Sequence, residues 1–157
     1  MTDQPMQQKR GRRIAMSSEE LDAYLADQRT VRLACVGADG APHVTPLWFV
    51  WDGAAIWLTS IVASQRWTNV MRDNRVSLCV DSGHGFMELC GAEMVGVAEP
   101  VGEIPRTGEP NEELVEPERL FGHKYVGGTM FHDNRHAWLR ITPTKIASWD
   151  FKKINLG

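Results

Sequence analysis

The chain has 157 residues, of which 43% are hydrophobic and 24% charged, and a formal net charge of -3 at pH 7. That is enough for one domain with its own core and no disulfide or metal staples. No apolar run approaches the roughly 18 residues that a membrane span needs, and the slight acidic excess argues against a nucleic-acid partner, which requires basic charge gathered on one face.

Met1 to Arg13 is polar, with Lys9, Arg10, Arg12 and Arg13 clustered, and lacks the apolar stretch of a secretory signal. Residues 1–15 are expected to form a disordered arm, residues 16–157 a single domain, and the protein to be cytoplasmic. Ser17 followed by Glu20 is a capping-box pattern, and Leu21, Tyr24 and Leu25 recur at helical spacing, so a short helix should begin near Ser18 and end before Thr30. Three strands should follow, Val31 to Gly37, His43 to Trp51 and Ala55 to Ser60, separated by the turn pairs Asp39-Gly40 and Asp52-Gly53.

Ser64 to Asp73 reads as a helix capped by Ser64, with Trp67, Val70 and Met71 on one face. Val76 to Val80 is a strand, and Met87 to Pro100 a long one bent at Gly91 or Gly96. Gly102 to Pro117 is rich in Gly, Pro and Glu and reads as a surface loop, ahead of a helix at Glu118 to Tyr125 that Gly127-Gly128 ends. Two closing strands, Ala137 to Ile141 and Lys145 to Phe151, flank Pro143. Six or more strands with short connections and few short helices imply a mainly β fold, an antiparallel barrel, because parallel strands need long crossovers.

Cys35, Cys79 and Cys90 are odd in number, widely spaced and set in apolar stretches, which points to buried free thiols. His132 and His136 stand four apart, but no carboxylate falls at a matching spacing, so no metal site is expected.

Thr59-Ser60 and then Ser64-Gln65-Arg66 at a helix start gather hydroxyls, a fixed cation and free backbone amides, the chemistry of an anion site. The alternative is that Ser64 only caps and Arg66 is solvated. In His43-Val44-Thr45-Pro46-Leu47-Trp48, proline interrupts a strand pattern and leaves it locally unpaired. A flat ring can use such a place, and an edge strand blunted against aggregation would look the same. Trp48, Trp51, Trp57 and Trp67 lie close in sequence and suit a core or a dimer interface.

In order and spacing, the stretches Pro42 to Phe49, Ile56 to Ser60, Ser64-Gln65-Arg66 and Asn69 to Ser77 resemble the pyridoxamine 5′-phosphate oxidase-like, FMN-binding split-barrel superfamily, from about Ser17 to Phe151. Within it, the Ser-Gln-basic-x-x-Asn run and the ending Ser148-Trp149-Asp150-Phe151-Lys152-Lys153 are most similar to the actinobacterial deazaflavin-dependent reductases of the B group. The resemblance implies a homodimeric split β-barrel in which Thr59, Ser60, Ser64, Gln65 and Arg66 hold a cofactor phosphate. Val44, Thr45, Pro46, Leu47 and Trp48 would line the cofactor ring, and Trp149 would approach from the partner subunit.

There are departures. The oxidase carries basic residues where this chain has His43 and Trp48 and a glutamine near Gly91, and its C-terminal basic and histidine pair has no counterpart after Ile141. These argue against oxidation of vitamin B6. Ala63 also stands where the deazaflavin relatives often have lysine.

The expected activity is transfer of a hydride between reduced coenzyme F420, a deazaflavin, and an unsaturated small organic substrate. The ring carries the redox chemistry, so no catalytic residue is assigned. The rivals are an FMN enzyme of the same fold and a non-catalytic flavin or haem binding module, with His84, His123, His132 or His136 as candidate iron ligands.

Overall fold

In the computed structural model of the chain, which describes residues 5–155, the first helix starts where the capping pattern places it. Ser17 Oγ accepts the Glu20 amide proton at 3.2 Å, and a Glu20 carboxylate oxygen accepts the Ser17 amide proton at 2.7 Å. Two donors that a helix start leaves unpaired are thereby satisfied. Helix α1 spans Ser18–Asp27 and anchors itself in the core through Leu25.

Strands β1 (Thr30–Val36), β2 (Pro42–Trp48), β3 (Val50–Trp51) and β4 (Ile56–Ile61) follow. Gly40 and Gly53 turn the chain at φ 83° and 95°, which glycine adopts without steric cost. Helix α2 (Gln65–Arg72) leads to β5 (Arg75–Ser82) and β6 (Cys90–Val101); helix α3 (Glu112–Tyr125) leads to β7 (His136–Asp150).

The seven strands form one sheet in the order β2-β1-β5-β6-β7-β4-β3, and neighbouring strands run antiparallel. Strands β2 and β3 stand at opposite edges, yet only Phe49 separates them in sequence. A flat sheet of this size would be about 29 Å across at about 4.8 Å per strand gap, whereas the two Cα–Cα steps from Trp48 to Val50 reach about 7.6 Å at most. The sheet must therefore curl until its edges meet, and it becomes a barrel closed by the chain instead of by a ladder. This is the split barrel, and it corrects the expected single strand from His43 to Trp51.

Phe49 is fully buried at the break, where Tyr125 Oη accepts its amide proton at 3.1 Å and lies 2.6 Å from its carbonyl oxygen. The tyrosine supplies what the missing ladder would have given.

Further departures from expectation each have a local cause. Strand β6 starts at Cys90 instead of Met87, because Phe86–Glu88 form a 3-10 turn. It is irregular between Val95 and Gly96: Val95 pairs with Lys145 and Gly96 with Pro143, leaving Thr144 as the extra residue of a bulge. Pro143 thus sits where the ladder is already interrupted, so β7 runs through it as one strand where two were expected. Helix α3 begins at Glu112 and not at Glu118, since Asn111 Oδ1 accepts the Glu113 amide proton at 3.0 Å and Glu112 and Glu113 complement the helix start. Pro117 then lies inside the helix, at the loss of one backbone hydrogen bond.

The barrel interior is filled by residues such as Leu33, Ile56, Leu58, Val70, Met94 and Ile141. A second cluster, with Trp57, Leu114, Phe121 and Trp138, lies under α3. In the arm, Met6 bridges Lys145, and the Gln8 amide exchanges hydrogen bonds with the Ser148 backbone at 2.9 and 3.2 Å. No helix among the described residues is long and apolar enough to cross a membrane.

Candidate cofactor site

The start of α2 lies against both sides of the split. Ser64 Oγ caps the helix by accepting the Trp67 amide proton at 3.1 Å, and it lies 3.4 Å from Ser60 Oγ on β4. Arg66 Nε donates to Ser60 Oγ at 3.1 Å, and Arg66 Nη1 donates to Thr45 Oγ1 on β2 at 3.0 Å. The guanidinium thus joins two strands that share no ladder.

Arg66 is half-buried instead of solvated, and among the described residues it has no carboxylate within ion-pair distance. Burial pushes its pKa below the ordinary arginine value, against a smaller opposing pull from nearby Cys35. A partly desolvated cation with donors to spare, set among three hydroxyls at a helix N-terminus, fits an anion such as a phosphate.

The other residues of the expected phosphate group face differently. Thr59 points away from Ser60, as neighbours on a strand must, and borders a separate cleft. Gln65 is exposed, and its Nε2 donates one proton to Asn69 Oδ1 along the helix at 2.9 Å, while its backbone amide lies at the helix start. Asn69 is buried and reaches Cys35 Sγ at 3.7 Å.

On β2, Val44, Pro46 and Trp48 are exposed, while Thr45 and Leu47 are partly covered. Pro46, Leu47, Trp48 and Thr59 border a cleft of about 380 Å³. Trp48 is held in place by stacking on Tyr125, with centroids 4.5 Å apart and planes 12° from parallel, while Arg29 lies 4.9 Å from the Tyr125 centroid.

The cleft is also lined by Arg106, Phe121, Phe131 and Asp133, which sequence reasoning missed, and by His132 and His136, which it named only as candidate metal or haem-iron ligands. A dense run of aromatic and ionisable residues between Gly127-Gly128 and the last strand was the available signal. Arg106 is buried but already neutralised: its Nε donates to Glu118 Oε1 at 2.7 Å, and it also pairs with Glu103. His132 and His136 belong to a loop and a strand start, not a helix, and among the described residues no group of His, Cys, Asp or Glu is placed to hold a metal. All three cysteines are free.

Trp149 stands apart from the other expected site residues. It pairs with Gly91, and a Cβ on that glycine would lie 2.4 Å from the indole ring. Ala137, which pairs with Ser60, is near the other end of β7, about 40 Å away along the strand at ~3.3 Å per residue. Among the described residues, no hydrogen bond or ring contact joins Trp149 to the Arg66 group.

Residues 17–150 match the sequence profile of the pyridoxamine 5′-phosphate oxidase family. No protein of curated function matches the chain significantly. Among solved structures, a conserved hypothetical protein from Mycobacterium tuberculosis is 30% identical, with a TM-score of 0.78 over 96% of this chain and 98% of its own. An F420 reductase is 22% identical, with a TM-score of 0.60 over 80% of this chain and 94% of its own. The FAD binding protein from Mycobacterium smegmatis is 18% identical, with a TM-score of 0.65 over 85% of this chain and 94% of its own. At their identities, the last two show a shared fold.

Proposed function

This chain belongs to the pyridoxamine 5′-phosphate oxidase family, and on that premise we propose that it is an oxidoreductase that uses coenzyme F420 to reduce an unsaturated small organic molecule. Its fold is one whose relatives include an F420 reductase and FAD-binding proteins. The observation that carries the reading is Arg66, a half-buried cation with no carboxylate partner among the described residues, set among Thr45, Ser60 and Ser64.

In this reading Ser60, Ser64, Arg66 and the first amides of α2 hold the cofactor phosphate, with Thr59 and Gln65 at its margin. Residues Val44 to Trp48 line the ring, and Trp149 of the partner subunit completes the pocket. When bound, the deazaflavin supplies a hydride to the substrate. The protein binds and orients both, and its apolar cleft excludes water.

The working unit we propose is a homodimer of one cofactor-binding domain, residues 16–157, preceded by an arm. Val44 and Trp48 on β2 are 63% and 50% exposed, and Val95 and Val97 on β6 are 40% exposed, which is apolar surface suited to a second copy. Three free thiols suit a reducing compartment, and the cytoplasm is the location we propose.

Calorimetric titration of the purified apoprotein with F420 and with FMN tests the cofactor assignment. Tighter binding of F420 is expected. Tighter binding of FMN would make the protein a flavin enzyme, and a haem spectrum surviving purification, with neither of the two bound, would overturn both.

A further inference from the structure

The loop before β7 turns back on a single carboxylate. Asp133 Oδ1 accepts the amide protons of Arg135 at 2.9 Å and His136 at 3.0 Å, and Asp133 Oδ2 lies 2.6 Å from His136 Nδ1. Asn134, between them, has φ 56°, a left-handed conformation that asparagine tolerates better than most residues. Burial alone would raise the Asp133 carboxyl, but the two amides and the imidazole outweigh it and hold its pKa at about 2. The carboxylate is therefore ionised at neutral pH and fixes Nδ1–H as the donor towards it.

The other ring nitrogen is then the working one. His136 Nε2 has no hydrogen-bond partner among the described residues, and it is not a buried unsatisfied atom. His136 borders the cleft, whose remaining walls are largely apolar, among them Leu47, Trp48, Phe121 and Trp138. The charged and titratable groups around it are Asp133 and Arg135 on its own loop, Arg106 with its partner Glu118, and His132, whose Nε2 lies 3.9 Å from Glu118 Oε1. Ile61 faces it across the ladder from β4. A half-exposed imidazole whose far side is fixed by a carboxylate, set in an apolar cleft of about 380 Å³, is arranged to act on a bound molecule.

We propose that His136 is the acid of this site, with Nε2 donating a hydrogen bond and then a proton to the oxygen of a flat, largely apolar carbonyl compound held in the cleft. The inference rests on the proposed redox function, because the reductant is the reduced deazaflavin or flavin of that reading. As a substrate carbon gains the hydride, its π pair moves onto the carbonyl oxygen, directly or through a conjugated double bond. The Nε2–H bond breaks, an O–H bond forms, and the imidazolium becomes a neutral imidazole that keeps its Nδ1–H on Asp133.

The test needs no cofactor. p-Nitrophenol is a flat ring whose oxygen reports its own protonation by colour, and its anion resembles the charge that builds on such a substrate. Titrated into the full-length protein, the bound phenol should ionise roughly one pH unit lower than the free phenol, as a cation close to a developing anion favours the charged form. His136→Phe should abolish that shift, and Asp133→Asn should diminish it while keeping the ring. Arg75→Ala, which removes an exposed cation paired with Asp73 outside the cleft, should leave it unchanged.

No binding by the parent protein, a shift that survives His136→Phe in a variant that still melts cooperatively, or a shift lost in Arg75→Ala would each overturn the proposal. Failure of both F420 and FMN to bind, with the phenol shift intact, would instead overturn the redox reading alone. Cofactor binding with no His136-dependent shift would overturn only the acid.

Discussion

At the scale of single residues, Arg66 and Lys124 are two partly buried cations with different consequences. Arg66 is tied to hydroxyls and has donors left for a ligand. Replacing it by alanine removes charge-assisted hydrogen bonds worth about 1.5–3 kcal/mol, so cofactor binding should weaken about ten- to a hundredfold in calorimetry. Lysine should restore it in part, keeping the charge but losing the fork. Binding by Arg66→Ala equal to the parent, with the same salt dependence, would remove the phosphate site.

Lys124 instead has its Nζ 4.4 Å from the Phe49 ring centroid and 3.3 Å from the Leu25 carbonyl oxygen. Burial first, and then the charge of Arg29, push it from 10.5 down to about 8, with Asp27 pulling the other way. Between those values the unfolded chain binds more protons than the folded one, so stability should rise with pH. Tyr24 and Tyr125, which burial pushes from 10 up to about 12, act oppositely: above 10 the folded state keeps protons that the unfolded one loses. Cys79 and Cys90, whose thiols burial pushes above the usual 9, act in the same direction as the tyrosines, so urea unfolding should show stability climbing from about pH 8 to 9, flattening, and then declining above 10. Lys124→Met should flatten the climb, and a climb unchanged in that variant would assign it to another group.

At the scale of elements, the decisive feature is the break between β2 and β3. Tyr125, at the end of α3, accepts the buried Phe49 amide proton, and its hydroxyl lies 2.6 Å from the Phe49 carbonyl oxygen and 2.7 Å from that of Arg29. Tyr125→Phe keeps the ring stack on Trp48 but leaves the Phe49 amide unsatisfied, so it should destabilise the protein by about 1–3 kcal/mol. At roughly 2–4 °C per kcal/mol for a chain of this size, calorimetry will resolve the change. A melting temperature equal to the parent's would mean that water replaces the hydroxyl at no cost.

Elements with strong local signals were legible in the sequence. The Ser17–Glu20 capping box fixed α1, and the Ser64 cap fixed α2. Helix α3 was only half legible, because a Glu- and Pro-rich stretch reads as a loop unless packing against Trp138 and Val50 is known. The continuity of β7 through Pro143 was hidden for a related reason: the bulge that accommodates the proline depends on β6, far away in sequence.

At the scale of the whole molecule, the barrel leaves apolar side chains on its outside, Val44 and Trp48 on β2 and Val95 and Val97 on β6. A stable dimer buries about 1,200–2,000 Å² in total, and such side chains belong in its centre. Light scattering at micromolar concentration should give twice the mass of one chain, and Val97→Glu should shift the protein towards the monomer. A folded monomer that binds the cofactor as well as the dimer would contradict a site shared between subunits.

What the sequence by itself determined is local or carried by resemblance: the caps, the glycine turns, the strand at Val76 to Val80, the family, and the Thr59-Ser60 and Ser64-Gln65-Arg66 runs as a candidate anion site. These follow from near-neighbour sterics, hydrogen bonding and periodicity, which a short window of sequence contains. The tertiary structure alone decided that Thr45 joins Ser60 through Arg66, that Gln65 bonds along its own helix, that Trp149 makes no contact with the Arg66 group within one chain, and that Asp133 and His136 line the same cleft as Trp48. Each of these depends on which strands meet when a seven-stranded sheet curls around one buried phenylalanine, and that closure is set by packing of the whole chain, which no local pattern encodes.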